Sequence, residues 1–239
     1  MPILLEICVD DGTGLTTAVT AGADRIELCA ALSVGGLTPS PGLMAMAAES
    51  GCPTYAMIRP RAGDFIFSDA EQRVMEGDID AAHAAGLAGI VLGASLPDGR
   101  LAPDVLAPLA SRARGYGLGL TLHRAFDLVP DFAEAIDLAV SLGFERILTS
   151  GGARTAPTGL PALREIVALA RGRISIMPGS GIAADNAAQI LSLGVDEIHA
   201  SGSAPLPAAS GKVAALGFDI ARRKETSATA IRTLKAALV

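Results

Sequence analysis

The sequence is poor in residues that define several common classes of protein. It has no Trp, only 3% aromatic residues and three cysteines in 239 residues. Cys8, Cys29 and Cys52 form an odd, low number without disulfide spacing, which argues against a secreted fold stabilised by disulfides. We therefore expect free thiols and a cytoplasmic location.

Charge and hydropathy argue against two further classes. With 19 Lys and Arg against 25 Asp and Glu, the chain has a formal net charge of −6 and no basic stripe, so no nucleic-acid partner is expected. The longest stretch without a charged residue, residues 28–48, is interrupted by glycines and prolines and cannot form a membrane helix. No basic region precedes Glu6, so we expect neither a secretory signal nor a membrane partner.

Short runs rich in β-branched residues alternate with longer segments rich in Ala and Leu. The predicted strands are residues 3–9, 25–29, 54–59, 89–92, 118–123, 146–149, 174–177 and 197–200. The clearest predicted helices are residues 15–21, 69–85, 131–142, 160–170 and 186–193. This order predicts an α/β fold, a single-domain (β/α)8 TIM barrel. The rival is an open doubly wound sheet, but residues 10–14 lack its Gly-x-Gly-x-x-Gly turn.

The ends of the predicted helices carry regular signals. Ser68 and Glu71 are spaced as a capping box at a helix start. Glycines that precede a strand predict left-handed helix ends at Gly22, Gly86, Gly143 and Gly194. We expect the barrel to occupy residues 1–203, and residues 204–239 to form a loop and a closing helix (224–238) packed on it.

The first two strands carry the same unusual pattern. Leu5-Glu6-Ile7-Cys8 and Ile26-Glu27-Leu28-Cys29 each read apolar, Glu, apolar, Cys, so the Glu and Cys side chains share one face of their strand. A single such strand is explained by Cys as a small apolar filler and a Glu with an unremarked partner. Two in succession favour a functional interpretation.

Other polar residues follow the strands, where barrels place their functional groups. Alternation predicts that Glu27, Cys29, Arg59, Thr121, His123 and His199 point inward. The turns at residues 179–181 and 201–203 lie where barrels commonly bind phosphate. Candidate anion-binding residues are therefore Glu6, Arg59, Arg61, Asp64, Arg124, Asp127, Ser150, Gly179, Ser180, Gly181, His199 and Ser201. A buried ion pair between Arg59 and Glu6 or Glu27 is an equally open alternative.

The two strand-end thiols also fit a metal ion. Neighbouring strands lie about 4.7–4.9 Å apart, and zinc–thiolate bonds are about 2.3 Å long, so Cys8 and Cys29 could hold one ion between them. Two thiols with a nearby His suit Cu(I) ahead of Zn²⁺. Cys52 falls at a helix-to-strand turn on the opposite rim and is not expected to take part.

Several motifs in order resemble the CutC family. They are Leu5-Glu6-Ile7-Cys8, Gly22-Ala23-Asp24-Arg25-Ile26-Glu27-Leu28-Cys29, Gly35-Gly36-Leu37-Thr38-Pro39-Ser40, Met57-Ile58-Arg59-Pro60-Arg61-Ala62-Gly63-Asp64-Phe65, His123-Arg124-Ala125-Phe126-Asp127, Leu148-Thr149-Ser150-Gly151 and Met177-Pro178-Gly179-Ser180-Gly181-Ile182. The resemblance covers residues 5–203 and implies a TIM barrel linked to copper homeostasis, with Cys8 and Cys29 as Cu(I) ligands. One departure is the end of strand 8, His199-Ala200-Ser201, where some members of the family have a further Cys after the histidine.

Two functions are predicted. The first is a copper homeostasis protein that binds Cu(I) through Cys8 and Cys29, with Glu6, Glu27 and His123 as polar support. The alternative is a TIM-barrel enzyme whose substrate is small and anionic, a phosphorylated one included. In that case Arg59 and the turn at 179–181 would position the anion, while His123 and Glu27 exchange a proton. The expected partner is thus a copper ion or a small anion, and a homo-oligomer is left open.

Overall fold

Eight parallel strands form one nearly closed barrel in the computed structural model, which describes residues 3–207, 209–218 and 223–238. The strands are β1 (Leu4–Val9), β2 (Arg25–Leu28), β3 (Thr54–Met57), β4 (Gly89–Leu92), β5 (Gly119–Leu122), β6 (Arg146–Thr149), β7 (Ser175–Pro178) and β8 (Glu197–Ala200). Consecutive strands pair from β1 to β7, and β8 pairs with β1, so that β7 and β8 are the two edges of the nearly closed barrel. This order confirms the predicted TIM barrel, because consecutive parallel strands joined by helices close on themselves only in that fold.

Helices cover the outside of the barrel. They are α1 (Gly12–Ala21), α2 (Pro41–Glu49), α3 (Asp69–Ala84), α4 (Pro103–Gly115), α5 (Phe132–Leu142), α6 (Leu160–Ala170) and α7 (Ala187–Leu191). Two of them, α2 and α4, are absent from the clearest sequence predictions. Both begin with Pro at a first-turn position, and Ser40 caps α2 by accepting a hydrogen bond from the backbone N–H of Leu43. These are ordinary helix-start signals.

The predicted helix ends are confirmed. Ser68 and Glu71 form a reciprocal capping box at the start of α3. Gly22, at φ 101°, and Gly143, at φ 81°, end α1 and α5 in the left-handed conformation. Gly86 and Gly194 also have positive φ angles.

The alternation of the strands divides the interior into two regions. Leu5, Ile7, Ile26 and Leu28 are fully buried between the barrel and its helices, in one continuous apolar core. The opposite faces of the same strands point into the barrel. There, a small apolar cluster forms around Cys29, Tyr55, Met57 and Val91. Buried polar side chains share this interior.

The chain after β8 returns to the barrel through a small antiparallel ladder. Strand β9 (Ser203–Pro205) pairs with β10 (Lys224–Thr226), α8 (Gly211–Ala215) lies between them in sequence, and α9 (Ala228–Ala236) follows. The helix predicted over residues 224–238 is therefore wrong at its start, because residues 224–226 pair as a strand. Ser227 then caps α9 by accepting a hydrogen bond from the N–H of Ala230. A division of the chain at residue 203 stays a prediction.

None of the helices in the described part of the chain combines the length and the apolar character needed to cross a lipid bilayer.

Candidate functional site

The register of β1 with its two neighbours brings a buried polar group together inside the barrel. Cys8 lies opposite Glu27 of β2, and Glu6 lies opposite His199 of β8. The Cys8 sulfur, a Glu27 carboxylate oxygen and a His199 ring nitrogen lie within 4.8 Å of one another, and all three residues are buried. We call Cys8, Glu27 and His199 the central triad. Thiolate, carboxylate and imidazole are all metal-ligating groups.

Glu6 fixes the orientation of the His199 ring. The Nδ1 atom of His199 is 2.8 Å from Glu6 Oε1, and its Nε2 atom lies 3.8 Å from Glu27 Oε2. Burial alone would lower the pKa of His199, but the electrostatic interactions with Glu27 and Cys8 and the hydrogen bonds to Cys8 and Glu6 outweigh burial and raise it well above its usual value. Burial raises the pKa of Glu6, yet the His199 hydrogen bond and the Arg25 charge bring it down to about 2. Without a metal the pair is thus a carboxylate and an imidazolium.

One carboxylate oxygen of Glu27 is buried without a hydrogen bond from the described residues. Its Oε2 atom accepts a hydrogen bond from the Cys29 thiol at 3.6 Å, whereas its buried Oε1 atom has no hydrogen-bond partner within the described residues. Burial raises the pKa of Glu27 and outweighs the opposing charge of His199. A buried acceptor without a partner is costly in a folded protein. A cation or a proton at Oε1 would relieve that cost.

Cys29 lies one step further along the barrel than the central triad. Because Cys8 pairs with Glu27, the thiol of Cys29 is displaced by two residues along β2 from the point opposite Cys8. Gly36 covers it, since a Cβ atom at that glycine would lie 2.9 Å from the Cys29 sulfur. Burial, followed by the charges of Glu27 and Cys8, raises the pKa of Cys29 well above its usual value. All three cysteines are free thiols.

Below the central triad, Arg25 supplies the positive charge that the barrel interior needs. Its guanidinium donates to Glu6 and, at 2.5 Å, to Glu197, and all three side chains are buried. The guanidinium carbon of Arg25 lies 5.5 Å from the centroid of the Tyr55 ring, and that of Arg146 lies 4.8 Å from it. Sequence reasoning did not select Arg25, Glu197 or Arg146. The sequence did carry a signal for two of them. Arg25 precedes Glu27 by two residues and Glu197 precedes His199 by two, so strand alternation places both on the inward face.

Arg59 connects two loops at the mouth of the barrel. Its Nη1 atom donates to the carbonyls of Val34 (3.0 Å) and Gly36 (3.1 Å), and its Nη2 atom donates to the carbonyl of Gly63 (2.8 Å). Within the described residues Arg59 pairs with no carboxylate. The alternative of an ion pair between Arg59 and Glu6 or Glu27 is therefore wrong, and Glu6 pairs with Arg25 instead. Only Nε of Arg59 is buried without a partner there. An anion at Arg59 would therefore meet a guanidinium that is already largely engaged.

His123 is a buried, neutral imidazole. Its Nδ1 atom accepts a hydrogen bond from the backbone N–H of Ala125 at 3.1 Å, so the ring proton belongs on Nε2. That Nε2 atom is buried and has no partner within the described part of the chain. Burial and the charge of Arg59 lower the pKa of His123 to about 3. The side chain can thus donate a hydrogen bond, but it is a poor proton acceptor near neutral pH.

This tautomer can be tested by NMR. Between pH 8 and pH 4 the ring nitrogens of His123 should keep the chemical shifts of a neutral imidazole with its proton on Nε2, because the pKa lies near 3. Long-range ¹H–¹⁵N spectra of a labelled sample measure this directly, and the loss of one signal set in His123→Gln assigns it. A midpoint near 6.5 would contradict the assignment.

The outer candidates pair mainly with one another. Arg61 binds Asp64 (2.9 Å) and Glu71. Arg124 binds Asp127 (2.7 Å) and Ser150 (2.5 Å). Asp127 also accepts hydrogen bonds from the backbone N–H groups of Ser150 and Gly152. These contacts brace the loops after β3, β5 and β6, and an anion-binding role for them stays a prediction.

The glycine turns lie beside the central triad. Gly179 packs on His199, since a Cβ atom there would lie 3.2 Å from the His199 Cβ atom. Ser180 has a φ of 75° and donates its hydroxyl to the carbonyl of Arg154 at 2.9 Å. Gly181 lies against Thr155. The hydroxyl of Ser201 is 2.9 Å from that of Ser203. The structure thus brings the turns after β7 and β8 together next to the metal-ligating groups.

The protein is thus a (β/α)8 barrel that buries a thiol, a carboxylate and an imidazole at the ends of adjacent strands. The CutC family profile matches residues 3–204. The chain belongs to the CutC family. A family protein CutC from Rhizobium meliloti (strain 1021) is 59% identical over 99% of this chain and 96% of its own. Another, from Caulobacter vibrioides (strain NA1000 / CB15N), is 48% identical over 96% of this chain and 94% of its own. The solved CutC structure from Streptococcus agalactiae is 36% identical, with a TM-score of 0.78 over 83% of this chain and 98% of its own.

Proposed function

We propose that the protein acts in copper homeostasis by binding a copper(I) ion as its cargo at Cys8 and His199, with Cys29 as a second thiol. The observation that carries the proposal is the meeting of the three side chains of the central triad within 4.8 Å. The solved relative from Streptococcus agalactiae is itself named as a candidate copper homeostasis protein, which supports the same function here.

The donor atoms suit a soft cation. Thiolate and imidazole are ligands that Cu(I) accepts, and burial excludes the water that would compete for it. The carboxylate of Glu6 holds Nδ1 of His199, which leaves Nε2 as the ligating nitrogen, as in the carboxylate–histidine pairs that commonly orient metal ligands. The unpartnered Oε1 atom of Glu27 adds a negative group beside the ion.

A competitive titration of the reduced protein with Cu(I) against a chromophoric chelator tests the proposal. We expect one tight equivalent in the parent protein. Cys8→Ser should abolish this equivalent, since a hydroxyl is a poor ligand for a soft ion, and His199→Gln should weaken it at least tenfold. The Cys29→Ser variant tests whether the thiol of Cys29 contributes to copper binding.

Cys52→Ser is the matched control. Cys52 is a half-buried free thiol between α2 and β3, and its sulfur lies 3.7 Å from the carbonyl of Ala23. Its loss should leave the tight equivalent unchanged. Equal binding by the parent, Cys8→Ser and Cys52→Ser proteins would exclude the central triad as the copper site.

The contacts give the enzymatic alternative less support. Arg59 is engaged by three carbonyls, and the low pKa of His123 disfavours the proton exchange with Glu27 on which that alternative depends.

A further inference from the structure

A cleft lies on the side of the barrel where the chain returns after β8. Its volume is about 370 Å³, and it is lined by the turns that follow β7 and β8, by β10 and by one face of α9. A cleft of this size accommodates a small organic molecule. Neither the copper site nor the loop-bracing ion pairs use its side chains.

The two ends of the cleft differ in chemistry. Ser201, Ser203, Thr233 and Lys224 form a polar end, while Ile182, Ala184, Ala230 and Leu234 supply apolar walls. Of the described residues that line the cleft, Lys224 alone is charged. The whole chain has only three lysines, Lys212, Lys224 and Lys235, against sixteen arginines. A lysine among hydroxyl groups is suited to an anionic oxygen group, which it binds as a point charge.

The position of the cleft favours phosphate over other anions. In TIM barrels the loops after strands 7 and 8 frequently bind phosphate through backbone N–H groups. Here the two loops turn through left-handed residues, Ser180 and Gly181 after β7 and Gly202 after β8. Such turns create the concave backbone surfaces that bind anions. Gly202 must remain a glycine, because a Cβ atom there would lie 2.5 Å from the Ile231 side chain.

We propose that this cleft binds the phosphate group of a small phosphate monoester, with Lys224, Ser201 and Ser203 at the phosphate and the apolar wall against its carbon portion. Two of the lining residues lie close in sequence to the central triad or its contacts, since Ser201 follows His199 by two residues and Gly181 follows Gly179 by two, and Gly179 packs on His199. The proposal does not depend on copper binding.

Calorimetric titration with inorganic phosphate and with ethyl phosphate, at constant ionic strength and without metal, tests the cleft. The parent protein should show saturable binding of both probes, and ethyl phosphate should bind more tightly because its ethyl group contacts the apolar wall. Lys224→Met should weaken both about tenfold or more, the loss expected for one charge-assisted contact. Ala184→Asp should abolish binding by placing a negative charge in the cleft.

Lys212→Met is the matched control. Lys212 lies in α8, outside the residues that line the cleft, and its replacement removes the same charge. It should bind both probes like the parent protein. The absence of saturable phosphate binding in the parent, or equal binding by the parent and Lys224→Met proteins, would overturn the proposal. Because no copper is present in these titrations, their outcomes do not affect the test of the copper site.

Discussion

Replacing Arg25 with Leu should lower the free energy of unfolding by about 3–5 kcal/mol, the usual loss when one member of a buried ion pair is removed. Arg25 is 4% exposed and donates to both Glu6 and Glu197, which are also buried. Leu fills part of the volume, but it leaves two carboxylates inside the barrel without their cation. Denaturation by urea at pH 7 measures the loss.

Arg112→Leu provides the control for that experiment. Arg112 forms a bidentate pair with Asp80, with both distances 2.6 Å, but the pair lies on the surface. Water and salt screen such pairs, so we expect the free energy of unfolding to stay nearly unchanged. Equal losses in the two variants would mean that burial of the Arg25 network does not determine its contribution.

Glu6→Gln should remove a pH-dependent part of the stability. The folded pKa of Glu6, about 2, lies below the value of 4.5 that is usual for an unperturbed Glu carboxyl. Glu6 therefore stabilises the fold above pH 4.5, and this stabilisation is lost as the pH falls toward 2. We expect the variant to be less stable than the parent by about 3 kcal/mol at pH 7 and by about 1 kcal/mol at pH 3.

Urea denaturation of both proteins at several pH values between 7 and 3 checks this difference. His199 titrates with the opposite sign. Its pKa is raised in the folded state, so its stabilisation is complete below about pH 6.5 and is lost only as the pH rises through the folded value. His199 thus does not contribute to the loss of stability at low pH. If the difference in free energy of unfolding between the parent and the variant stayed constant from pH 7 to pH 3, Glu6 would not be the source of the stability lost at low pH.

The barrel itself could be predicted from the sequence because its signals are local. Alternation along β2 and β8 decides which side chains point inward, and it correctly placed Glu27, Cys29 and His199 there. The capping box at Ser68 and the left-handed Gly22 depend only on their immediate neighbours in the chain. Such patterns need no knowledge of what lies across the barrel, and the motifs that resemble the CutC family lie on the same local elements.

The composition of the site was decided by contacts between residues distant in sequence. Strand pairing sets Cys8 opposite Glu27, which places His199 in the triad and moves Cys29 further along. The charge inside the barrel is balanced by Arg25, whereas Arg59 binds loop carbonyls. Alternation gives the face of a strand but not its stagger against the next strand, which is fixed only when the barrel closes.

The segment after β8 shows the same difference between local patterns and long-range contacts. The sequence predicts a helix from Lys224, and it does contain one that begins after Ser227. Residues Lys224–Thr226 instead pair with Ser203–Pro205, across a separation that no local pattern encodes. The sequence by itself therefore determined the barrel, its inward faces and its helix ends. Tertiary structure alone decided which thiol joins His199 and Glu27, which arginine neutralises Glu6, and that Lys224 faces the turns after β7 and β8, because each depends on long-range register.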